Sequence, residues 1–134
     1  MKNNEWVRMV ADFTRANGYT VPNRLINPMP HHTKVLRLRL MMEELGELSC
    51  AMHENNVIEI ADGLTDLLYV VIGTAVEYGL GPILYELFDE VHASNMSKDY
   101  AERPDGRKGG VKGPKYFKPR IALILREYEG LDNV

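Results

Sequence analysis

The segment 43–66 constrains the fold more than any other part of the chain, because its acidic residues are spaced symmetrically. Glu44 and Glu47 are three residues apart, and so are Glu59 and Asp62. Residues three apart lie on the same face of a helix. Residue 53 is the midpoint of Glu47 and Glu59, and it is also the midpoint of Glu44 and Asp62. An antiparallel helical hairpin turning there would bring all four carboxylates together.

A turn between His53 and Asn56 would set Glu47 beside Glu59. Glu44 would then lie beside Asp62, about one helical turn away. Four carboxylates in one small volume repel each other unless a cation lies among them. Ligands that are all oxygen suit hard divalent ions such as Mg²⁺ or Mn²⁺. The spacing therefore predicts a metal site, although two solvated helix faces would show the same spacing.

Apolar residues at helical spacing predict an all-α fold, an antiparallel bundle of four main helices with a short final helix. Trp6, Met9, Val10 and Phe13 form the expected core stripe of the first helix. The remaining helices are expected at Lys34–Glu54 after a Thr33 cap, at Val57–Tyr78, from Pro82 to about Lys98, and from Ile121 onward.

Apolar residues extend unusually far around the second and third helices, which predicts burial on more than one side. Leu38, Leu45 and Met52 belong to the second-helix stripe. A bundle this small has little interior, so a second copy of the chain is expected to cover these faces, as a homodimer or a dimer of dimers. In the same helix, Arg37 is expected to be an ordinary surface residue and Cys50 a buried structural thiol.

Length and composition predict a single domain over 1–134, with an N-terminal helix and loop (1–32), a helical core (33–98) and a basic arm with a terminal helix (99–134). The formal net charge of −3 gives no argument for nucleic-acid binding. The most apolar run, 67–76, is much shorter than the ~20 residues of a membrane span. One cysteine fits a reducing compartment, so a cytoplasmic protein without a membrane partner is expected.

The segment 99–120 is rich in glycine, proline and cations, and we expect it to be a flexible loop. Its positive charge contrasts with the acidic chain as a whole. Binding a metal–polyphosphate requires anions for the metal and cations for the phosphates, so a basic segment beside the acidic cluster would suit such a ligand. A solvated loop with no ligand is equally compatible with the composition.

The sequence EELGE at 43–47 with EIAD at 59–62 resembles the EExxE…ExxD motif of the MazG-like all-α nucleotide pyrophosphohydrolases. That superfamily includes the phosphoribosyl-ATP pyrophosphohydrolases and the dimeric dUTPases. The segments DEVHASNMSK at 89–98 and VKGPKYFKP at 111–119 look like the later part of one branch. The resemblance covers roughly residues 33 to 120.

The resemblance implies roles for particular side chains. Glu43 would hold or deprotonate the attacking water. The Mg²⁺ ligands would be Glu44, Glu47, Glu59, Asp62 and, as an additional or outer ligand, Asp66. Contacts to the nucleotide would come from Asn95, Lys98, Lys112, Lys115 and Tyr116.

The implied reaction is Mg²⁺-dependent hydrolysis of a nucleoside triphosphate between its α and β phosphates, giving a monophosphate and pyrophosphate. Phosphoribosyl-ATP is the alternative substrate within the superfamily. A di-iron carboxylate bundle is a different alternative, since Asp89 and His92 are an i, i+3 carboxylate–histidine pair, but such sites usually use two Glu-x-x-His pairs. A non-catalytic helical interaction module is the third.

Overall fold

The computed structural model describes residues 4–130 and is all-helical over that range. Two isolated antiparallel bridges are the extent of β pairing there. The prediction of four main helices and a short final one is confirmed. The helices are α1 (Glu5–Ala16), α2 (His31–His53), α3 (Val57–Glu77), α4 (Leu84–Met96) and α5 (Ile121–Glu129), with a 3-10 turn at Gly81–Ile83.

The chain divides into two compact units, which for the described residues are 4–82 and 83–130. The first unit holds α1, α2 and α3, and the second holds α4, α5 and the segment between them. The assignment of 1–134 to one domain stays a prediction.

In the first unit, α2 and α3 form the hairpin that the acidic spacing predicts. Only three residues, 54–56, connect them. Asn55 takes the left-handed backbone conformation with φ of 56°, which asparagine tolerates better than most residues. The Asn56 side-chain oxygen then accepts the Glu59 backbone N–H at 3.2 Å, so the residue caps α3.

The pairing across the hairpin is centred between Asn55 and Asn56, two to three residues beyond the expected midpoint. A Cβ built on Gly63 would lie 3.3 Å from Leu48 Cα, and Arg37 Nε donates to Thr74 Oγ1 at 3.1 Å. The expected midpoint at residue 53 was wrong because His53 is still helical. The true turn therefore brings Glu44 level with the region of Asp66.

Helix α2 begins three residues before the expected start, and Thr33 is not its cap. The carbonyl of Pro30 accepts the N–H groups of Thr33 and Lys34, both at 3.1 Å. Proline suits this position because its missing N–H is not required by the helix. His31 and His32 therefore form the first turn instead of ending the loop.

The loop before α2 packs on the C-terminal end of α3. Ile26 N–H donates to Tyr78 O at 2.9 Å, and Met29 is buried. Gly79 has φ of 75°, and a Cβ built there would lie 1.7 Å from Arg24 O. Glycine is required at this position for both reasons.

The apolar stripe of α1 is buried at only one of its four expected core positions. Val10 is 3% exposed and packs inward, whereas Trp6, Met9 and Phe13 are each more than half exposed. The α2 stripe behaves similarly, with Leu38 57%, Leu45 55% and Met52 57% exposed. Three helices in one unit do not supply a second layer for these side chains.

In the second unit, α4 is joined to the segment before α5 by serine hydroxyls. The buried Ser94 donates from Oγ to Phe117 O at 2.7 Å, and Ser97 Oγ accepts the Phe117 N–H at 3.1 Å. The basic segment is not a featureless loop, because the bridges Asp99–Val111 and Glu102–Lys108 fold it back on itself. Helix α4 ends at Met96, so Lys98 lies just beyond the helix that was expected to carry it.

Among the described residues, no single helix is long and apolar enough to cross a membrane; α3 and the segment Gly81–Met96 reach the necessary length and hydropathy only when taken together across the break between them.

Candidate functional site

An open cavity of about 720 Å³ lies in the first unit, along one side of the α2–α3 pair. We call it the acidic cavity. Six carboxylates line it: Glu43, Glu47 and Glu54 from α2 and the loop after it, and Glu59, Asp62 and Asp66 from α3. Five of these are predicted site residues, and Glu54 is an addition. The helical hairpin thus brings the acidic residues of both motifs to one surface.

Glu44 adjoins this set and is less exposed than its members. Its Oε2 atom is buried without a hydrogen-bond partner. The pKa of the Glu44 carboxyl is raised above its ordinary value, first by desolvation, then by the charges of Glu47, Asp66, Glu43 and Asp62. Asp66 precedes Asp62 in this order, which agrees with the observed centre of the hairpin. A buried carboxylate oxygen surrounded by other acids requires either a proton or a cation.

The donor set fits a hard divalent cation, because every candidate ligand is a carboxylate oxygen. Within residues 4–130, no three acidic, histidine or cysteine side chains are arranged closely enough to hold an ion as they stand. The residues that would hold one are Glu44, Glu47, Glu59, Asp62 and Asp66, and their side chains would have to rotate inward. The unpartnered oxygen of Glu44 is the structural feature that an ion would satisfy.

Glu43 lines the acidic cavity from the α2 side. Its Oε1 lies 3.6 Å from Arg39 Nε, and both side chains are more than half exposed. A solvated pair of this kind holds a carboxylate only weakly. Glu43 thus remains able to contact a water molecule over the cavity, and its role in holding the attacking water stays a prediction.

Three residues of this region escaped the sequence reasoning. Gly63 allows α2 and α3 to approach closely beside the acids, since a Cβ there would press on Leu48. Gly46 lines the acidic cavity without a side chain. Cys50 also lines the cavity and is exposed, so the expectation of a buried thiol was wrong. Its position on the carboxylate side of α2, two turns after Glu43, could have indicated this.

The predicted nucleotide-contacting residues lie in the second unit and form two pairs there. Lys98 Nζ donates to Asn95 Oδ1 at 2.9 Å. Lys112 Nζ lies 5.2 Å from the centre of the Tyr116 ring, a cation–π distance. Lys115 is exposed in the same segment. Their contact with a nucleotide stays a prediction.

Comparison with known proteins assigns the chain to a family. A family model for phosphoribosyl-ATP pyrophosphohydrolase matches residues 20–95, more than half of the chain, including both acidic pairs. The uncharacterized protein L479 of Acanthamoeba polyphaga mimivirus is 39% identical over 101 residues, which are 69% of this chain. The chain spans 39% of the length of that relative. The chain belongs to the phosphoribosyl-ATP pyrophosphohydrolase family, within the MazG-like all-α superfamily of hydrolases that act on phosphoric anhydrides.

Proposed function

We propose that this protein is a Mg²⁺-dependent nucleoside triphosphate pyrophosphohydrolase. It would cleave between the α and β phosphates and remove surplus or noncanonical nucleotides from the cellular pool. The observation that carries the proposal is the buried, unpartnered oxygen of Glu44, which lies among the acids of a segment matched by a pyrophosphohydrolase family model.

Magnesium bound by these acids would neutralise phosphate charge and make water easier to deprotonate. The chain's own residues supply positioning. The α2 and α3 carboxylates fix where the polyphosphate lies, and Glu43 holds the attacking water and accepts its proton. Contact of Lys98, Lys112 and Lys115 with the nucleotide, which the resemblance implies, stays a prediction. Such reactions depend mainly on positioning and charge stabilisation, so no covalent enzyme intermediate is required.

Phosphoribosyl-ATP is a second candidate substrate, and the family match specifically favours it. The bond cleaved is the same α–β anhydride, and the same carboxylates would serve. Phosphoribosyl-ATP carries a phosphoribosyl group that an ordinary nucleoside triphosphate lacks, so the ratio of kcat/KM for the two kinds of substrate distinguishes the candidates. The family match favours either hydrolase over the di-iron alternative.

The test is pyrophosphate release with Mg²⁺ across ribonucleoside, deoxyribonucleoside and modified triphosphates and phosphoribosyl-ATP. We expect Glu47→Gln and Asp62→Asn to reduce kcat by at least ~100-fold, with helical circular dichroism preserved. Glu86→Gln, an exposed carboxylate in the first turn of α4, is the matched control and should retain wild-type turnover. Full activity in either cavity variant would remove the metal-site assignment.

We also propose that the chain works as a homodimer or a dimer of dimers in the cytoplasm. The exposed stripe of Leu38, Leu45 and Met52 on α2 supports association. Leu45 and Glu47 are two positions apart on the helix, which sets them about 160° apart around its axis. A second copy docked on this stripe would therefore leave the acidic cavity open to substrate.

A further inference from the structure

A second cavity of about 320 Å³ lies in the first unit, where α1 meets the α2–α3 pair. We call it the aromatic cavity. Its lining includes Phe13, Thr14 and Asn17 from α1 and the loop start, Tyr19 from the loop, and Tyr69 and Glu77 from α3. None of the residues that line it belongs to the acidic cavity.

Residues that line the aromatic cavity lie on the same faces of α2 and α3 as residues that line the acidic cavity. Tyr69 and Gly73 follow Asp66 by three and seven residues, so all three share one face of α3. On α2, Leu40 precedes Glu43 by three residues, so these two residues also share one helix face. The helical rise separates Asp66 from Gly73 by about 10 Å along the axis. A ligand with its phosphates among the acids would therefore have its next group beside α1.

The aromatic cavity offers ring faces to a flat ligand. The Phe13 and Tyr69 rings meet edge to face, with centres 5.7 Å apart and planes inclined by 78°. Their side chains are 57% and 37% exposed, so both rings have surface that a ligand could cover. The volume is at the small end of ligand pockets. A nucleobase with part of its sugar is a group of suitable shape.

Polar groups in the aromatic cavity are held in fixed positions. Glu77 Oε1 accepts from Arg37 Nη1 at 3.3 Å, and Arg37 itself is only 13% exposed. Arg37 also donates to Thr74 Oγ1 and Val70 O. The Glu77 carboxylate is therefore pre-positioned as an acceptor for ring or exocyclic N–H groups, which every common nucleobase offers at some edge.

We propose that the aromatic cavity binds the nucleobase and sugar of the nucleotide whose phosphates occupy the acidic cavity. This inference rests on the proposed function. Phe13 and Tyr69 contact the base through their rings, and Glu77 accepts a hydrogen bond from its edge. The base would then be recognised by residues of the first unit, and Tyr19 would be the loop residue that lines its site.

The experiment compares steady-state kinetics of Phe13→Ala and Tyr69→Ala with wild type, using whichever common nucleoside triphosphate wild type hydrolyses best. Aromatic contact with a base is worth a factor of about ten or more in affinity. We expect KM to rise by at least ~10-fold with kcat changed much less, because binding rather than chemistry is lost. Tyr69→Phe keeps the ring and should raise KM much less than Tyr69→Ala does.

Trp6→Ala and Leu68→Ala are matched controls, since both side chains are exposed neighbours on α1 and α3 that do not line the aromatic cavity. Each should keep the wild-type KM. If Phe13→Ala or Tyr69→Ala fails to fold, the leucine variant at the same position replaces it, because leucine keeps the apolar bulk without the ring. Calorimetry with the corresponding monophosphate, which carries the base, and with pyrophosphate, which lacks it, should show that the Ala variants selectively weaken monophosphate binding.

The outcomes separate this inference from the proposed function. If wild type hydrolyses no nucleotide, the proposed function fails. If wild type is active and both Ala variants keep the nucleotide KM, the aromatic cavity does not bind the base, and the proposed function survives. A change in association state by light scattering, with KM unchanged, would show instead that a second copy covers the cavity.

Discussion

Glu44 has one buried carboxylate oxygen without a hydrogen-bond partner, and it lies among the negative charges of the neighbouring acids. Its pKa is raised in the folded protein by desolvation and by the neighbouring acids. The folded state therefore binds a proton more tightly than the unfolded state, and stability contributed by this group falls as pH rises through the folded pKa. At neutral pH without metal, an ionised Glu44 thus destabilises the fold.

We expect Glu44→Gln to raise the melting temperature of the metal-free protein at pH 7, and to do so less in acid, where Glu44 is already protonated. Wild type should gain stability when Mg²⁺ is added, and the variant should gain less, because one ligand charge is missing. Thermal unfolding with and without EDTA measures both effects. A lower melting temperature for the metal-free variant at pH 7 would contradict the electrostatic account.

Gly73 leaves room for the guanidinium group of Arg37, which reaches across from α2. A Cβ at position 73 would lie 2.6 Å from Arg37 Nη2, which donates to Val70 O. Alanine improves helix propensity by about 1 kcal/mol, but displacing a buried charged donor from its acceptors costs about 1.5–3 kcal/mol. The loss exceeds the gain.

We therefore expect Gly73→Ala to lower the free energy of unfolding by about 0.5–2 kcal/mol in urea titrations. Gly46→Ala is the matched control, because no atom lies within 4 Å of its added Cβ. That variant should be as stable as wild type or up to ~1 kcal/mol more stable. Equal effects at the two glycines would mean that the Arg37 contacts contribute nothing measurable.

Positions that depend on the spacing along a single helix could be predicted from the sequence. Glu59 and Asp62 both line the acidic cavity because their i, i+3 relation is fixed by α3 itself, whereas of the α2 pair Glu47 lines it and Glu44 adjoins it. Arg37 was expected at the surface but is mostly covered by α3, with only 13% of its side chain exposed, since its environment depends on which residues a second helix presents. Spacing along one helix carries no information about such partners.

At the scale of elements, α4 is tied to the start of α5 by one ion pair. Glu90 accepts from the Arg120 backbone N–H and from Arg120 Nε, both at 2.9 Å. These bonds lower the pKa of Glu90, with the Arg120 side chain as the first cause. A lowered pKa contributes stability above the unfolded value near 4.5 and loses it as pH falls through the folded value.

We expect Glu90→Gln to lower the melting temperature at pH 7 and to match wild type more closely at pH 3, because the stability contributed by the lowered pKa of Glu90 is lost as the pH falls. Asp89→Asn, an exposed neighbour on α4, is the control and should change little at either pH. Thermal unfolding monitored at 222 nm provides the measurement. A difference between Glu90→Gln and wild type that persists unchanged at low pH would assign the effect to packing.

Helix existence could be predicted from the sequence, and helix ends could be predicted less well. Apolar spacing identified all five helices, and Asn56 identified the start of α3. The start of α2 was misplaced because Pro30 caps through its carbonyl, whereas the prediction relied on the Thr33 hydroxyl. The bridges in the basic segment pair residues that are 12 and 6 positions apart, and local composition does not encode such pairing.

At the scale of the whole molecule, the apolar surface exceeds what one chain buries. On α2, the side chains of Leu45, Leu48 and Met52 border a shallow groove of about 420 Å³ together with Ser49 and His53. Leu38, Leu45 and Met52 recur every seven residues, which is the spacing of a helix–helix seam. Exposed apolar stripes of this length mark association surfaces in soluble proteins.

We expect Leu45→Glu to convert the protein from a dimer or tetramer to a smaller species, because each copy would bring a charge to a self-complementary apolar contact. Light scattering at micromolar concentration measures the change. Ile58→Glu is the matched control, since Ile58 is 78% exposed at the start of α3, outside the stripe; it should leave the mass unchanged. A wild-type monomer would refute association, whereas an unchanged mass for Leu45→Glu would move the interface to the exposed α1 side chains Trp6 and Met9.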